Sequence, residues 1–227
     1  MEVARANPVD GTRMVAALAS RELGAPVNRK RVQRVMRTHG LLQRSRNTDR
    51  RRRPGFFRVT RPNELWHMDI TKVWTAAQGW VYLHVIVDCC TRQVADWTVD
   101  VRTRSLEAVG CVEAAVLAHG ITPRQLTLGT DNGSQFTSRD FRKHLSARGI
   151  THRRGGYRDP ESQAFIESWF GQLKKHCAWR SEWETIEDAR AEIAAYIHTY
   201  HHRPHSRIGY RTPTEVARTW ADPDLQT

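Results

Sequence analysis

The sequence has few cysteines and no long apolar run. Of its four cysteines, Cys89 and Cys90 are adjacent in a hydrophobic segment, Cys111 and Cys177 are isolated, and no CxxC pair occurs. This pattern argues against a disulfide framework or a cysteine zinc site and predicts buried thiols in a reducing compartment. No apolar stretch reaches the roughly 18 residues that a membrane helix needs, and the first residues lack the apolar core of a signal peptide. We therefore expect a cytoplasmic protein with no membrane partner.

Acidic residues are scarce in the first quarter of the chain. Residues 1–61 contain 16 Lys and Arg against 4 Asp and Glu, whereas residues 62–227 contain 20 of each class, so the net charge of +12 lies entirely in the first block. All eight tryptophans and all five tyrosines lie in the second block. A hydrophobic content of 39% excludes a disordered chain. Composition thus predicts a basic arm joined near residue 61 to an aromatic-rich globular domain.

The arm, residues 1–42, is predicted to contain two short helices, at about 11–23 and 29–39, with Asn28 as N-cap and Gly40 as stop of the second. A basic linker, residues 43–61, follows this helix-turn-helix-like unit. Guanidinium groups and a helix N-terminus both favour phosphate, so we expect DNA binding, although a merely solvated charged face stays an alternative. The predicted DNA-binding residues are Asn28, Arg29, Lys30, Arg31, Arg34, Arg37, Arg50, Arg51, Arg52 and Arg53.

Beyond the linker, the pattern changes to β-rich apolar runs that are followed by alternating helices and strands. The predicted elements are strands at 65–74, 80–88 and 93–99, a helix at 105–119, a strand at 125–130, a helix at 138–148, a strand at 150–153, and helices at 162–178, at 185–201 and from 212. Short gaps between the first three strands favour antiparallel hairpins. This order predicts an α/β domain over residues 62–227, with a mixed sheet and helices on both faces.

Three acidic side chains lie where a folded protein seldom places them. Asp69 lies inside an apolar strand, Asp131 at the end of a later strand, and Glu167 in an apolar helix segment. A half-buried carboxylate without a partner destabilises a fold, and a bound divalent cation compensates it. Mg²⁺ prefers such hard oxygen ligands, and two ions about 3.5 to 4 Å apart can promote an in-line phosphoryl transfer. The three acids are therefore candidate metal ligands.

Each carboxylate also has an ordinary explanation. Asp69 could lie at an exposed strand edge, Asp131 could cap a turn, and Glu167 could occupy an exposed helix position. Asp88, at the end of the second strand, and Asp140 are competing acids that spacing does not exclude. The residues taken alone leave the assignment open.

Five segments nonetheless resemble, in order, the catalytic core of insertion-sequence transposases in the retroviral-integrase superfamily, and most of all the second-frame product of the IS3 type. The segments are PNELWHMDITKVW, GWVYLHVIVDCCTRQVADW, TDNGSQFTS, ESQAFIESWFGQLKK and YHHRPHSRIGYRTPTE. They span about residues 62–218, and 35 residues separate Asp131 from Glu167, which is the spacing in the superfamily's motif. The arm segment VNRKRVQRVMRTHGLLQR is similar to the helix-turn-helix upstream of that core.

The resemblance implies a ribonuclease-H-like fold in which Asp69, Asp131 and Glu167 are catalytic and jointly hold two Mg²⁺ or Mn²⁺ ions. It also implies that Lys174, two helical turns after Glu167, contacts DNA near the cut end. The implied function is a DNA transposase or integrase-type strand transferase that cleaves at transposon ends and joins the 3′ hydroxyl to target DNA. The implied partners are double-stranded DNA at the nucleoid, further copies of the chain, and a first-frame protein or fused segment.

The sequence departs from the family pattern at two places. Ser162-Gln163 replace Asp-Asn before the glutamate helix, and His176 replaces an acid after Lys174-Lys175. Neither change touches a predicted metal ligand.

Two other functions remain as alternatives. One is a non-catalytic DNA-binding repressor of transposition or a decayed transposase fragment, and the other is a nuclease acting on RNA–DNA hybrids. The arm favours duplex DNA over a hybrid, because the DNA major groove admits a helix and the A-form groove does not. Zinc binding by His198, His201, His202 and His205 is disfavoured, because Pro204 breaks the helical spacing.

Overall fold

The computed structural model describes residues 1–42, 59–155 and 164–222. The chain forms two compact units, of which the first contains Met1–Pro54 and Arg203–Thr212 and the second contains Gly55–His202 and Pro213–Thr227. No helix within the described ranges combines the length and the apolar character that crossing a bilayer requires.

The first unit is built around three helices, α1 (Glu2–Ala6), α2 (Thr12–Glu22) and α3 (Arg29–Thr38). The predicted cap of α3 is confirmed, because the Asn28 side chain accepts a hydrogen bond of 2.8 Å from the Lys30 N–H. Helix α1 was not predicted. The helices share a small core of Ala4, Val15, Ala16, Val32 and Met36.

A segment from near the end of the chain completes this unit. The Arg203 guanidinium forms an ion pair with Asp10, whose exposed fraction is only 7%. Arg21 donates a hydrogen bond of 3.1 Å to the Tyr210 carbonyl. Burial raises the pKa of Asp10, and the charge of Arg203 acts in the opposite direction. The first unit therefore joins two segments that are distant in the sequence, which the sequence analysis did not anticipate.

The second unit is a five-stranded mixed sheet with helices on both faces. The strands are β1 (Leu65–Thr75), β2 (Gly79–Asp88), β3 (Val94–Asp100), β4 (Thr127–Thr130) and β5 (Thr151–Arg154), and the helices are α4 (Ser105–Ala118), α5 (Ser134–Thr137), α6 (Arg139–Ala147), α7 (Ala164–Leu173), α8 (Ile186–His201) and α9 (Pro213–Ala221). The order across the sheet is β3-β2-β1-β4-β5. The first three strands are antiparallel neighbours, as predicted, and β4 pairs in parallel with β1 and with β5.

Two elements differ from the predicted pattern. The helix predicted at 162–178 is divided, because α7 ends at Leu173 and a π-helical segment, Lys174–Ala178, follows it. The short helix α5 follows the turn after β4 and was not predicted. Both differences arise from local backbone geometry that apolar periodicity does not encode.

The sheet separates two apolar clusters. One face packs against α7 and α8, with fully buried Leu83 and Val85 at its centre, and the other packs against α4, α5 and α6, around Trp66 and Ile86. Successive residues of a strand point to opposite faces, so the continuous apolar run of β2 supplies both clusters. The prediction of unpaired thiols is confirmed, since all four cysteines are free and only Cys90 is partly exposed.

Candidate active site

Two of the predicted acids lie side by side where β1 and β4 run in parallel. In that pairing His67 lies opposite Gly129, and Asp69 and Asp131 each follow two residues later. Neighbouring strands are about 4.8 Å apart, so the register brings both carboxylates to the same level of the sheet. The pairing depends on a glycine, because a Cβ at position 129 would lie 2.8 Å from the buried His67 ring.

The turn after β4 fixes the Asp131 carboxylate. Its Oδ1 accepts a hydrogen bond of 2.8 Å from the Gly133 N–H, and the Thr130 hydroxyl donates to the Asp131 carbonyl at 2.9 Å. The Asn132 amide donates to the Gly155 carbonyl at 2.8 Å, which ties the turn to the end of β5. Asp131 thus caps a turn, as one sequence interpretation held, and that bond also orients its carboxylate.

Helix α7 and the π-helical segment that follows it bring Glu167 and Lys174 to the same cleft. It buries Ile166, Trp169, Phe170 and Leu173 against the sheet, and this spacing of three and four residues defines one helical face. Glu167 is exposed at the border of that face. Together with Asp69 and Lys174 it lines an open cleft of about 350 Å³, into which Thr71 and Gly171 also face. Lys174 therefore lines the same cleft as Asp69 and Glu167, and its contact with DNA stays a prediction.

The pKa of Asp69 depends on the charges of Asp131, Glu167 and Lys174. Its pKa is raised from 3.8 to about 6, mainly because burial disfavours the carboxylate and further because Asp131 and Glu167 carry like charges. The Ile70 N–H, which donates to Asp69 Oδ1 at 2.8 Å, and the charge of Lys174 both lower this pKa. The charges of Asp131 and Glu167 thus repel that of the half-buried Asp69.

The carboxylate oxygens of Asp69, Asp131 and Glu167 suit a hard divalent cation, although the three side chains do not meet at one point. In the described ranges no three His, Cys, Asp or Glu side chains stand in an arrangement that could hold a metal ion. The acids near Asp69 are nevertheless all oxygen donors, and the like-charge repulsion among them is what a cation would relieve. The chemistry of the residues therefore fits Mg²⁺ or Mn²⁺.

The two competing acids have other roles. Asp88 has an exposed fraction of 3% and accepts hydrogen bonds of 2.7 to 3.1 Å from Asn63, Trp66, Cys90 and Thr91. These bonds hold the turn that joins β2 to β3. Asp140 is exposed in the first turn of α6, where its negative charge interacts favourably with the helix dipole.

The remaining predicted residues lie elsewhere or beyond the described ranges. In the first unit the six predicted DNA-binding residues of α3 and its cap, Asn28, Arg29, Lys30, Arg31, Arg34 and Arg37, are all exposed. The predicted linker residues Arg50, Arg51, Arg52 and Arg53, and the departures at Ser162 and Gln163, lie outside the described residues. In the second unit the His201 Nε2 accepts a hydrogen bond of 2.9 Å from the Val94 N–H.

Sequence reasoning missed three residues beside Asp131. His152 contacts the Thr130 hydroxyl at 2.9 Å, Arg154 is the strand partner of Thr130, and Arg142 lies on the neighbouring helix α6. The one available signal in the sequence was the segment THRR, in which strand alternation puts His152 and Arg154 on one face. The sequence did not show which strand pairs with this segment.

Comparison with known families agrees with this architecture. Residues 59–160 match a family described as Integrase core domain, residues 148–213 match a second family of the same description, and residues 2–52 match one described as HTH-like domain. The second match includes Glu167 and Lys174, and the first includes Asp69 and Asp131.

Individual proteins give the same picture. The chain is 32% identical to the Insertion element IS407 uncharacterized 31.7 kDa protein of Burkholderia multivorans, over 91% of this chain and 75% of that protein. It is 29% identical to the Transposase InsF for insertion sequence IS3A of Escherichia coli K12, over 93% of this chain and 72% of that protein. Among solved structures, the catalytic core domain of BIV integrase is 25% identical and superposes with a TM-score of 0.52 over 68% of this chain and 93% of that one. The predicted fold class is confirmed.

Proposed function

Because the chain belongs to the insertion-sequence transposases of the IS3 type, we propose that it is a metal-dependent DNA strand transferase that cleaves transposon ends and joins the 3′ hydroxyl to target DNA. The observation that carries this proposal is the register of β1 and β4, which puts Asp69 and Asp131 at one level of the sheet beside the cleft that Glu167 and Lys174 line.

In this proposal Asp69, Asp131 and Glu167 hold two Mg²⁺ or Mn²⁺ ions. When bound, such ions activate the attacking oxygen and stabilise the leaving oxygen of an in-line displacement. The Gly133 N–H keeps the Asp131 carboxylate oriented, and Lys174 binds a DNA phosphate across the cleft from Asp69. The exposed arginines of α3 hold the duplex by its phosphates.

The reaction consists of two displacements at phosphorus. A water oxygen first attacks the phosphodiester at the transposon end, and the 3′ oxygen leaves as a hydroxyl. That hydroxyl then attacks a phosphodiester of the target, whose own 3′ oxygen leaves. Two element ends must be joined to one target, so the proposal also involves more than one copy of the chain, at the DNA of the bacterial cytoplasm.

The test is metal-dependent cleavage of a labelled duplex that carries the element's own end. Wild type is compared with Asp131→Asn and Glu167→Gln, with Glu182→Gln, an exposed glutamate of the second unit, as the matched control. We expect nicking with Mg²⁺ in wild type and control, and no nicking in the two variants although they still bind the duplex. Binding without cleavage in wild type would favour the repressor alternative, and cleavage of an RNA–DNA hybrid in preference to the duplex would favour the nuclease alternative.

A further inference from the structure

Two arginines, Arg154 on the edge strand β5 and Arg142 on helix α6, have no role in the proposed reaction. Strand β5 is the last strand of the sheet, and its Arg154 is the partner of Thr130, the residue before Asp131. The Gly155 N–H donates a hydrogen bond of 2.8 Å to the Thr130 carbonyl and closes this pairing. The backbone of Arg154 therefore lies one strand spacing, about 4.8 Å, from the backbone of Thr130, the residue before Asp131.

Helix α6, which carries Arg142, packs against His152 of the same strand. His152 and Arg154 alternate with Arg153 along β5, so they share one face of the strand. The His152 ring packs edge-on against Phe141 of α6, with ring centroids 5.5 Å apart, and Arg142 follows Phe141 in the chain. Arg142 donates from its Nε to the Ser138 carbonyl at 3.3 Å. The charges of Arg142 and Arg154 both act on His152, which lies between the two elements that carry them.

Both arginines are exposed. Among the described residues, no carboxylate lies within ion-pairing distance of Arg142 or Arg154, whereas Arg148 at the end of α6 pairs with Glu113. Burial lowers the pKa of His152, and the positive charges of Arg154 and Arg142 lower it further. A polyanion is attracted most strongly to positive charges that are not already paired with acids.

We propose that Arg142 and Arg154 form a phosphate clamp that holds the DNA backbone beside Asp131. This inference rests on the proposed function and adds a binding site to it, distinct from the Lys174 side of the cleft. A strand spacing of about 4.8 Å and a rise of about 3.4 Å per nucleotide limit the bound phosphate to within roughly three nucleotides of the reacting bond. The ligand class is the sugar–phosphate backbone, without base recognition.

The experiment combines charge removal on the protein with charge removal on single DNA phosphates. Full-length wild type, Arg142→Gln, Arg154→Gln and the double variant are titrated in EDTA with end duplexes in which one phosphate at a time is replaced by a methylphosphonate. Arg148→Gln is the matched control, because it removes the same charge from an arginine that Glu113 already neutralises. Each titration is repeated over a series of salt concentrations.

We plot the logarithm of the DNA-binding constant against the logarithm of the salt concentration. The magnitude of the negative slope should decrease by about 0.9 for each arginine removed and by about 1.8 in the double variant. One methylphosphonate within three nucleotides of the cut should weaken wild type and leave the double variant unaffected, while Arg148→Gln keeps the wild-type slope and pattern. Arg142→Lys with Arg154→Lys should restore most of the slope, which separates lost charge from a damaged fold.

An unchanged slope and pattern in the double variant would overturn the clamp, as would coupling only to phosphates far from the cut. Failure of the proposed function is a separate result, because it appears as wild-type protein that does not nick the unmodified duplex with Mg²⁺. A clamp found in a protein that never cuts would leave this inference standing as a binding site and would refute only the catalytic proposal.

Discussion

Replacing Asp69 by Asn should stabilise the metal-free protein and at the same time remove its cleavage activity. Asparagine has nearly the same shape, and its Oδ1 can still accept the hydrogen bond from the Ile70 N–H. What the substitution removes is the charge, which burial and the neighbours Asp131 and Glu167 disfavour in the folded state. The folded protein therefore carries a destabilising ionised group at neutral pH, and a bound cation would compensate it.

The size of the effect follows from the shift in pKa. The pKa of Asp69 rises from 3.8 in the unfolded chain to about 6 in the folded one, and each unit corresponds to about 1.4 kcal/mol. The full shift would give about 3 kcal/mol, and the partial exposure of the side chain reduces this to about 1 to 3 kcal/mol. A carboxyl group with a raised pKa destabilises the fold progressively as pH increases from 3.8 to 6. The stabilisation that Asp69→Asn provides is therefore complete above pH 6 and absent below about pH 4.

Urea unfolding in EDTA, followed by tryptophan fluorescence, measures this directly. All eight tryptophans lie in the second unit, so the signal reports the unit that contains Asp69. We expect a higher midpoint for Asp69→Asn at pH 7.5, no difference at pH 4, and a stabilisation by Mg²⁺ that wild type shows and the variant lacks. Glu182→Gln should behave as wild type. A variant that is equally stable or less stable at pH 7.5 would refute the account of burial and like-charge repulsion given above.

Three further predictions concern residues outside the catalytic group. Arg203→Gln removes the partner of a buried aspartate and should destabilise the first unit by about 2 kcal/mol, seen as faster amide exchange in α2; unchanged exchange would contradict the ion pair. His201 has a pKa lowered to about 4, mainly by burial, so the second unit should lose stability as pH falls from 6.5 to 4; His201→Gln should reduce that loss, measured in the Asp69→Asn background to exclude the opposite effect of that acid, and an equal loss in the variant would contradict the burial of His201. Gly129→Ala should cost about 1 to 3 kcal/mol, because its Cβ would collide with the His67 ring, and urea midpoints equal to wild type would show that the ring moves freely.

Much of the second unit follows from the sequence because its signals are local. Strands β1 and β2 are apolar runs separated by a short turn, and the cap of α3 is an Asn followed by a basic amphipathic helix, so each could be recognised within about a dozen residues. The candidate acids were also recognisable, since Asp69 interrupts an apolar strand and Glu167 an apolar helix. Their common location required the resemblance to a known family, because no local pattern states that β1 and β4 are neighbours.

What could not be predicted depends on contacts between distant parts of the chain. Arg203 and Asp10 are separated by 193 positions, and nothing near either residue indicates the other. The position of Arg154 beside Asp131 follows from the β4–β5 register, which the short strand does not encode. The change from α7 to a π-helical turn at Lys174 also lacks a sequence signal, since the same residues favour an ordinary helix.

The return of Arg203–Thr212 to the first unit has a consequence for biosynthesis. A ribosome makes α1, α2 and α3 well before Arg203, which lies 193 positions after its partner Asp10. The first unit therefore cannot complete its fold until Arg203–Thr212 has been translated, and nascent chains that stop earlier carry it in an incomplete form. Folding of the first unit is in this way coupled to synthesis of a segment that follows most of the second unit.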